Sequence, residues 1–399
     1  MGSKPAATSL AFVAYNGIAG AVECSDGRRE RGSPFESVAT AAPRNCKRYR
    51  PENQPQTAVV VRMAMRTAKR ALRRLAGEVA PSVWSFRPKN SLTILTYHRV
   101  LPDGHADRSV EQPGMCVSPD RLASHIVELK KHFEIVDLAD WMERSRNGSS
   151  LPDRACAFTF DDGWKDNFEF ALPVLLRHRV PCTVFLVVEL IDGNGRFWPN
   201  RLAHLMREFR RQAPAAQEHL RQFLVRVGAN PRSLDESVDA RLVDAVITSA
   251  KAFSDAEIIE QMDYLECQVK ASGAERSVLN SAEISAMGAS GLVRFGSHGL
   301  RHVRLSAAVS SDQIESEVVG SRDRLRTITP NSVDIFCYPN GEYSAAALAA
   351  VRRTYAAAVT TELGWNWAGT DRCRLRRISL HDSVALDNVG LLARVSGWL

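Results

Sequence analysis

The amino-acid sequence predicts an α/β fold, a distorted (β/α) barrel of parallel strands ringed by helices. From residue 91 onward, strand-like apolar runs alternate with segments of helical period, the order that yields a parallel sheet. Polar clusters follow the ends of several of these runs. That placement favours a closed barrel with its functional residues at the C-terminal ends of the strands. A third feature, the almost purely helical stretch 192–280, reads as an insertion between two barrel strands.

Ser91–Val100 (SLTILTYHRV) is rich in β-branched residues and reads as the first strand. Ser118-Pro119-Asp120 combines an N-cap, a proline at the first helical position and an acidic first turn, so a helix should follow to about His132. Phe133–Leu138 and Ala155–Phe160 read as strands, and a helix is expected from Trp164 to His178. The continuous apolar run Pro181–Leu190 marks a strand buried on both faces. Beyond the insertion, strands are expected at Leu292–Phe295, Asp334–Tyr338, Ala356–Thr360 and Leu375–Leu380, with helices at Ser306–Arg326 and Ser344–Thr354. The insertion is rich in Arg, Gln, Glu and Ala. It is either a lid or substrate platform at the rim or a packing elaboration.

The chain divides on composition into an arm, 1–90, and a folded domain, 91–399. The arm holds 16 Lys and Arg against 6 Asp and Glu, whereas the remainder has a net charge of −3. The overall charge of +7 therefore belongs to the arm. A nucleic-acid-binding role for the folded domain loses its electrostatic basis. Residues 1–60 lack any period and carry clustered charge, which predicts disorder. Met63–Leu75 (MAMRTAKRALRRL) has the pattern of a basic amphipathic helix, suited to peripheral contact with an anionic membrane or to simple solvation.

Leu10–Val22 is short, broken by Tyr15 and Asn16, and preceded only by Lys4. As a signal peptide it is poor. The expected location is cytoplasmic, peripheral to the inner membrane, rather than secreted. The eight cysteines form no CxxC pair, and Cys156, Cys182 and Cys337 sit in apolar runs as small hydrophobes, so free thiols are expected.

Chemistry concentrates in two segments. Phe158-Thr-Phe-Asp-Asp-Gly163 ends a buried run in paired carboxylates, and Gly163 allows a sharp turn. Adjacent side chains diverge, so one carboxylate can take a metal and the other a water or proton. The competing reading is a loop that caps the helix from Trp164. Ser297-His-Gly-Leu-Arg-His302 spaces two imidazoles i, i+4, which brings both to one side of a helical turn. Two imidazoles and a carboxylate leave a position open for water on Zn²⁺ or a similar ion. His98, closing the first strand, should face the same rim.

The set LTYHRV, FTFDDG, SHGLRH and CYPNGEY, in this order, resembles the NodB-type polysaccharide deacetylases of carbohydrate esterase family four, from about residue 91 to 385. The resemblance implies a NodB-homology barrel that removes N-acetyl groups from N-acetylated oligo- or polysaccharides by hydrolysing a linear amide C–N bond. It makes Asp161 the general base and Asp162 a ligand, with His298 and His302, to a divalent metal, zinc first and cobalt second. The Asn340 backbone N–H would serve the oxyanion. His381, in Ile378-Ser-Leu-His-Asp382, would be the general acid; alternatively it is an ordinary histidine after an edge strand. His98, Tyr338 and Trp365 are the expected substrate contacts. Of the tryptophans able to stack on sugars, Trp365 and Trp367 rank above Trp198, and His105, His125, His178, His204 and His219 read as surface residues.

Two departures from the family pattern bear on function. Gly299 stands where the family carries a Ser or Thr whose hydroxyl braces the histidine loop. Cys337 stands where an Arg orients the catalytic aspartate, and Arg377, near the end of a later strand, is the expected substitute. These departures are what favour the alternative: a catalytically impaired glycan-binding or scaffold protein that retains the metal site.

Overall fold

The computed structural model describes Gly77 and residues 88–109, 111–193, 195–236, 238–268 and 276–397. The disorder expected for 1–60 and the basic helix at Met63–Leu75 lie outside these residues.

Seven parallel strands form the fold: β1 Ser91–Tyr97, β2 Arg154–Phe160, β3 Cys182–Leu186, β4 Val293–Ser297, β5 Ser332–Cys337, β6 Ala357–Leu363 and β7 Leu375–Ser379. Each pairs with its successor in sequence, and β7 returns to β1 through Leu95 opposite Ile378 and Thr96 opposite Ser379. The ring is a closed barrel. Closure leaves no long open edge, and the crossovers carry helices that cover the outside. These include α1 Pro119–Leu129, α2 Leu138–Arg146 and α3 Leu172–His178.

Strand alternation divides the side chains between two cores. Leu92, Ile94, Ala155, Ala157, Phe185, Ile335, Val359 and Leu375 form one cluster that joins strands across the ring, the barrel interior. Leu138, Trp141 and Met142 of α2 pack into this cluster. The opposite parity, including Leu95, Tyr97, Phe158, Phe160, Val184, Leu186 and Phe295, packs outward beneath the helices. Continuing the inward parity past the last apolar positions gives Asp161 on β2, Cys337 on β5 and Arg377 on β7. The polar residues at the strand ends are thus delivered to the mouth of the barrel by the same period that fills it.

The insertion between β3 and β4 carries α4 Trp198–Arg207, α5 Pro214–Arg226, α6 Ala240–Ala250 and α7 Asp255–Gln268. Leu202, Met206, Leu220, Leu224, Val243, Ile247 and Met262 give it a hydrophobic core of its own. Beyond it, α8 Ser281–Ala289 begins with a capping box from Asn280 and Glu283.

Three expected elements differ. Phe133–Leu138 contributes only the two-residue strand Glu134–Ile135, because Asp137 caps α2 and draws the chain into a helix. The helix expected over Ser306–Arg326 is α9 Ser311–Glu315, a π-turn at Ser316–Gly320 and α10 Ser321–Ile328. The helix expected from Trp164 likewise contains a π-turn, at Asn167–Ala171. Helices α11 Ala345–Thr354 and α12 Asn388–Val395 complete the chain.

Candidate active site

Asp161 and Asp162 leave β2 in opposite directions because the backbone turns left-handed at once, with φ +74° at Asp162 and +69° at Gly163. A Cβ at position 163 would lie 2.7 Å from the Leu186 side chain, so glycine is required there by space as well as by conformation. The turn does not cap a helix with Asp162. Instead the Trp164 indole N–H donates to Asp162 Oδ2 at 2.9 Å, leaving Oδ1 aimed at two imidazoles.

Those imidazoles come from the loop after β4. His298 Nε2 and His302 Nε2 stand 3.3 and 3.5 Å from Asp162 Oδ1. The segment is not the helical turn that the i, i+4 spacing suggests. Positive φ at Gly299 (+84°) and at His302 (+65°) folds the loop back, and the rings meet edge to face at 4.8 Å between centroids. A strained, non-glycine residue at such a point is characteristic of functional sites. The Cys337 carbonyl lies 2.8 Å from His298 Nδ1; as the acceptor it assigns a proton to Nδ1 and turns Nε2 toward Asp162.

The missing loop hydroxyl has a replacement that sequence reasoning did not find. Glu317, fully buried on the π-turn, accepts the backbone N–H groups of Leu300 at 2.9 Å and Arg301 at 3.0 Å, and pairs with the Arg301 guanidinium. Gly299 leaves room for it: a Cβ there would sit 3.0 Å from Glu317 Oε2.

Asp161 is held by Arg377 in a two-pronged ion pair, Nη1 to Oδ1 at 2.7 Å and Nη2 to Oδ2 at 2.8 Å. Arg377 reaches it from β7 with its Nε on the Thr360 carbonyl and Nη2 also 3.2 Å from Cys337 Sγ. The family-type arginine is lost from β5, and a guanidinium two strands away occupies that role's geometry. His98 Nε2 lies 3.9 Å from Asp161 Oδ2.

Burial raises the cost of both carboxylate charges. The Arg377 charge and hydrogen bonds outweigh it for Asp161, and the His298 hydrogen bond with the charges of His302 and His98 does so for Asp162. Both aspartates are therefore held below the ordinary carboxylate range. Burial and the neighbouring His298 push His302 down to about 4.

The donor set fits a divalent cation. Ligand atoms of Asp162, His298 and His302 converge within 4.8 Å of one another, one hard oxygen and two imidazole nitrogens. Asp161, His298 and Cys337 also converge, but Arg377 already engages both Asp161 oxygens. These groups open on a cavity of about 230 Å³. Asn340, at φ +54°, lies on its wall with Thr361, and the insertion contributes Phe197, Trp198, Asn200 and Lys251. The insertion is therefore a wall of the site, not a remote elaboration.

Other expected residues fall elsewhere. Trp365 does not line the cavity: its indole N–H donates to the Val395 carbonyl and its ring packs against the core. Trp367 is exposed and does not line the cavity, whereas Trp198 does, together with the buried Trp164. Tyr338 borders the cavity, but it is fully buried and its hydroxyl donates to Cys373 O. His125 is not on the surface; it is buried between the Tyr97 hydroxyl and the Ala385 carbonyl.

His381 stands against Gly114, its Nδ1 buried without a hydrogen-bond partner among the described residues. Burial and Arg394 lower its pKa. Asp382 pairs with Arg108 and Arg121 instead of the adjacent imidazole. Free thiols are found, as expected, at all six described cysteines.

Comparison with known proteins gives a consistent family. Residues 148–221 and 253–359 match the polysaccharide deacetylase model, a span that includes Asp161, Asp162, His298, His302 and Asn340. The poly-β-1,6-N-acetyl-D-glucosamine N-deacetylase of Escherichia coli K12 is 26% identical over 106 residues, 26% of this chain and 15% of that protein's length. Among solved structures, the Streptococcus pyogenes deacetylase PplD in complex with acetate shares 16% identity, with a TM-score of 0.48 over 75% of this chain and 96% of that one. IcaB from Ammonifex degensii shares 15%, with a TM-score of 0.49 over 77% and 98%. With the matched segments carrying the paired aspartates and both histidines, the chain contains a polysaccharide deacetylase domain.

Proposed function

We propose that this protein is a metal-dependent hydrolase that removes N-acetyl groups from an acetylated oligo- or polysaccharide. One observation carries the reading: a three-ligand set and a second carboxylate, locked by an arginine, open on the same cavity. Asp162, His298 and His302 would hold the cation, most suitably Zn²⁺, with Co²⁺ as a substitute. When bound, the cation supplies Lewis acidity that polarises a carbonyl and lowers the pKa of water.

The protein's own groups do the rest. Asp161 accepts the proton of the attacking water, and Arg377 keeps the carboxylate ionised and aimed. The Asn340 peptide offers an N–H to the developing oxyanion. His381 is assigned the proton delivered to the leaving amine; its ring lies beside Gly114, next to the cavity residue Met115.

The scaffold alternative rested on a missing arginine and a missing hydroxyl. Arg377 and Glu317 occupy those two functions, which removes its motivation. The test is acetate release from N-acetylated oligosaccharides by the full chain, with chelator and then with added Zn²⁺ or Co²⁺. Turnover that chelation abolishes and metal restores supports the proposal. Metal binding with no acetate release from any member of the panel overturns it.

A further inference from the structure

The insertion brings to the metal cavity one charge that the proposed hydrolysis does not use. Lys251, just after α6, lines the same cavity as the aspartates. The acids around it are already engaged: Asp161 with Arg377, Glu111 with Arg99 at 2.7 Å, and Asp162 facing both imidazoles. No ion pair or hydrogen bond engages the Lys251 ammonium among the described residues.

Its backbone, in contrast, is fixed. Arg304, two residues beyond His302, donates to the Lys251 carbonyl at 2.8 Å and the Phe253 carbonyl at 2.6 Å. The same guanidinium pairs with Asp255 at 3.1 Å, and both side chains are largely buried. The histidine loop and the root of Lys251 are thus bolted together, so the point from which this side chain springs is fixed relative to the metal ligands. Trp198, half-buried and packed against the insertion's core, lines the same cavity. The family match omits residues 222–252, which include Lys251.

We propose that Lys251 binds an anionic substituent of the substrate, so that this site selects an acetamido glycan bearing a carboxylate or phosphate over a neutral one. An ammonium inside a partly enclosed cavity loses hydration, and a ligand anion restores the lost interaction through charge-assisted hydrogen bonds. A neutral sugar restores less. The inference rests on the deacetylase reading for the identity of the site, and its test reads binding separately from turnover.

Dissociation constants would be measured by calorimetry on the full chain, treated with chelator so that the ligand stays intact. The probes are N-acetylchitotetraose, its C6-carboxylate form and its 6-phosphate form. The wild type should bind at least one anionic form about 10- to 100-fold more tightly than the neutral one, the scale of a hydrogen bond to a charged group. Whichever form gains identifies the anion.

Lys251→Ala should erase that preference, bringing all three probes to similar affinity, and Lys251→Arg should retain it. The preference should also shrink as salt is raised. Equal affinity for all three probes, absence of binding by all three, or a preference that survives in Lys251→Ala overturns the proposal. Acetate release from the neutral tetramer without charge preference would sink Lys251 as the reader and leave the deacetylase standing. Charge preference without acetate release after metal is restored would do the reverse.

Discussion

At the scale of single residues, the Asp161–Arg377 pair makes the sharpest predictions. Both side chains are almost fully buried, and breaking such a pair by removing one partner costs about 3–5 kcal/mol because the other charge is stranded. Arg377→Met should be destabilised by that amount at pH 7, measured by urea unfolding of the metal-free chain. The sign with pH follows from the shift. In the wild type Asp161 is held below its ordinary value of 3.8, so its contribution is present above that pH and lost as acid carries the pH through the lowered value. In the variant, burial without Arg377 raises the Asp161 pKa, so it protonates first. The deficit against the wild type should therefore narrow as the pH falls from 7 toward 4. A deficit that stays constant or widens would show that Asp161 does not depend on Arg377 for its charge.

The two aspartates should also be separable. Asp161→Asn should keep bound metal but lose at least ~10²-fold in turnover, within the range for removing a general base. Asp162→Asn and His302→Ala should each lower metal affinity well over tenfold, since each removes one of three ligands. Identical metal content in the two aspartate variants, read by elemental analysis, would refute the division of roles.

At the scale of elements, the site depends on irregularities in otherwise regular structure. The π-turn at Ser316–Gly320 rotates Glu317 inward, where its carboxylate braces the backbone between His298 and His302. π-turns inside α-helices are frequently found at functional sites. Glu317→Ala should lower metal affinity about 10- to 100-fold, the range expected when a group supporting a ligand is removed, with little change in far-ultraviolet circular dichroism. Unchanged affinity would mean that the loop holds itself. Gly163→Ala is the matching change on β2. It asks a Cβ to adopt φ +69° within 2.7 Å of Leu186, and should lose both stability and metal.

At the scale of the whole molecule, the open question is where the folded domain begins. A boundary at residue 90 treats all that precedes it as arm. Gly77, however, is helical and buried, and a Cβ there would lie 2.4 Å from the Val389 carbonyl beside α12. A chain starting at Met63 should melt as the full chain does, whereas one starting at Ser85 should melt earlier, because it bares the surface around Val389. Equal melting of the two would restore the boundary at 90. The charge excess of the arm gives a separate expectation. Binding of the full chain to vesicles containing anionic lipid should fall steeply with salt, since screening weakens exposed charges.

The sequence by itself determined the alternation that makes a parallel barrel, the place of the helical insertion, and the segments that carry the chemistry. These are local properties: strand period, turn glycines, and short runs of polar residues that follow apolar ones. Sequence parity also puts Asp161 and Arg377 on the inward faces of their own strands. Only the tertiary structure decided that these faces meet, because β7 and β2 become the two neighbours of β1 when the ring closes. The same holds for Glu317 beneath the histidine loop and Lys251 on the cavity wall. Trp365, after a strand, and His125, on α1, show the reverse case: they were expected at the rim and the surface and are instead used in packing. Local pattern fixes which way a side chain points along its own element. What it points at depends on contacts between residues far apart in sequence, such as the Asp161–Arg377 pair at 216 positions, and no local period encodes those.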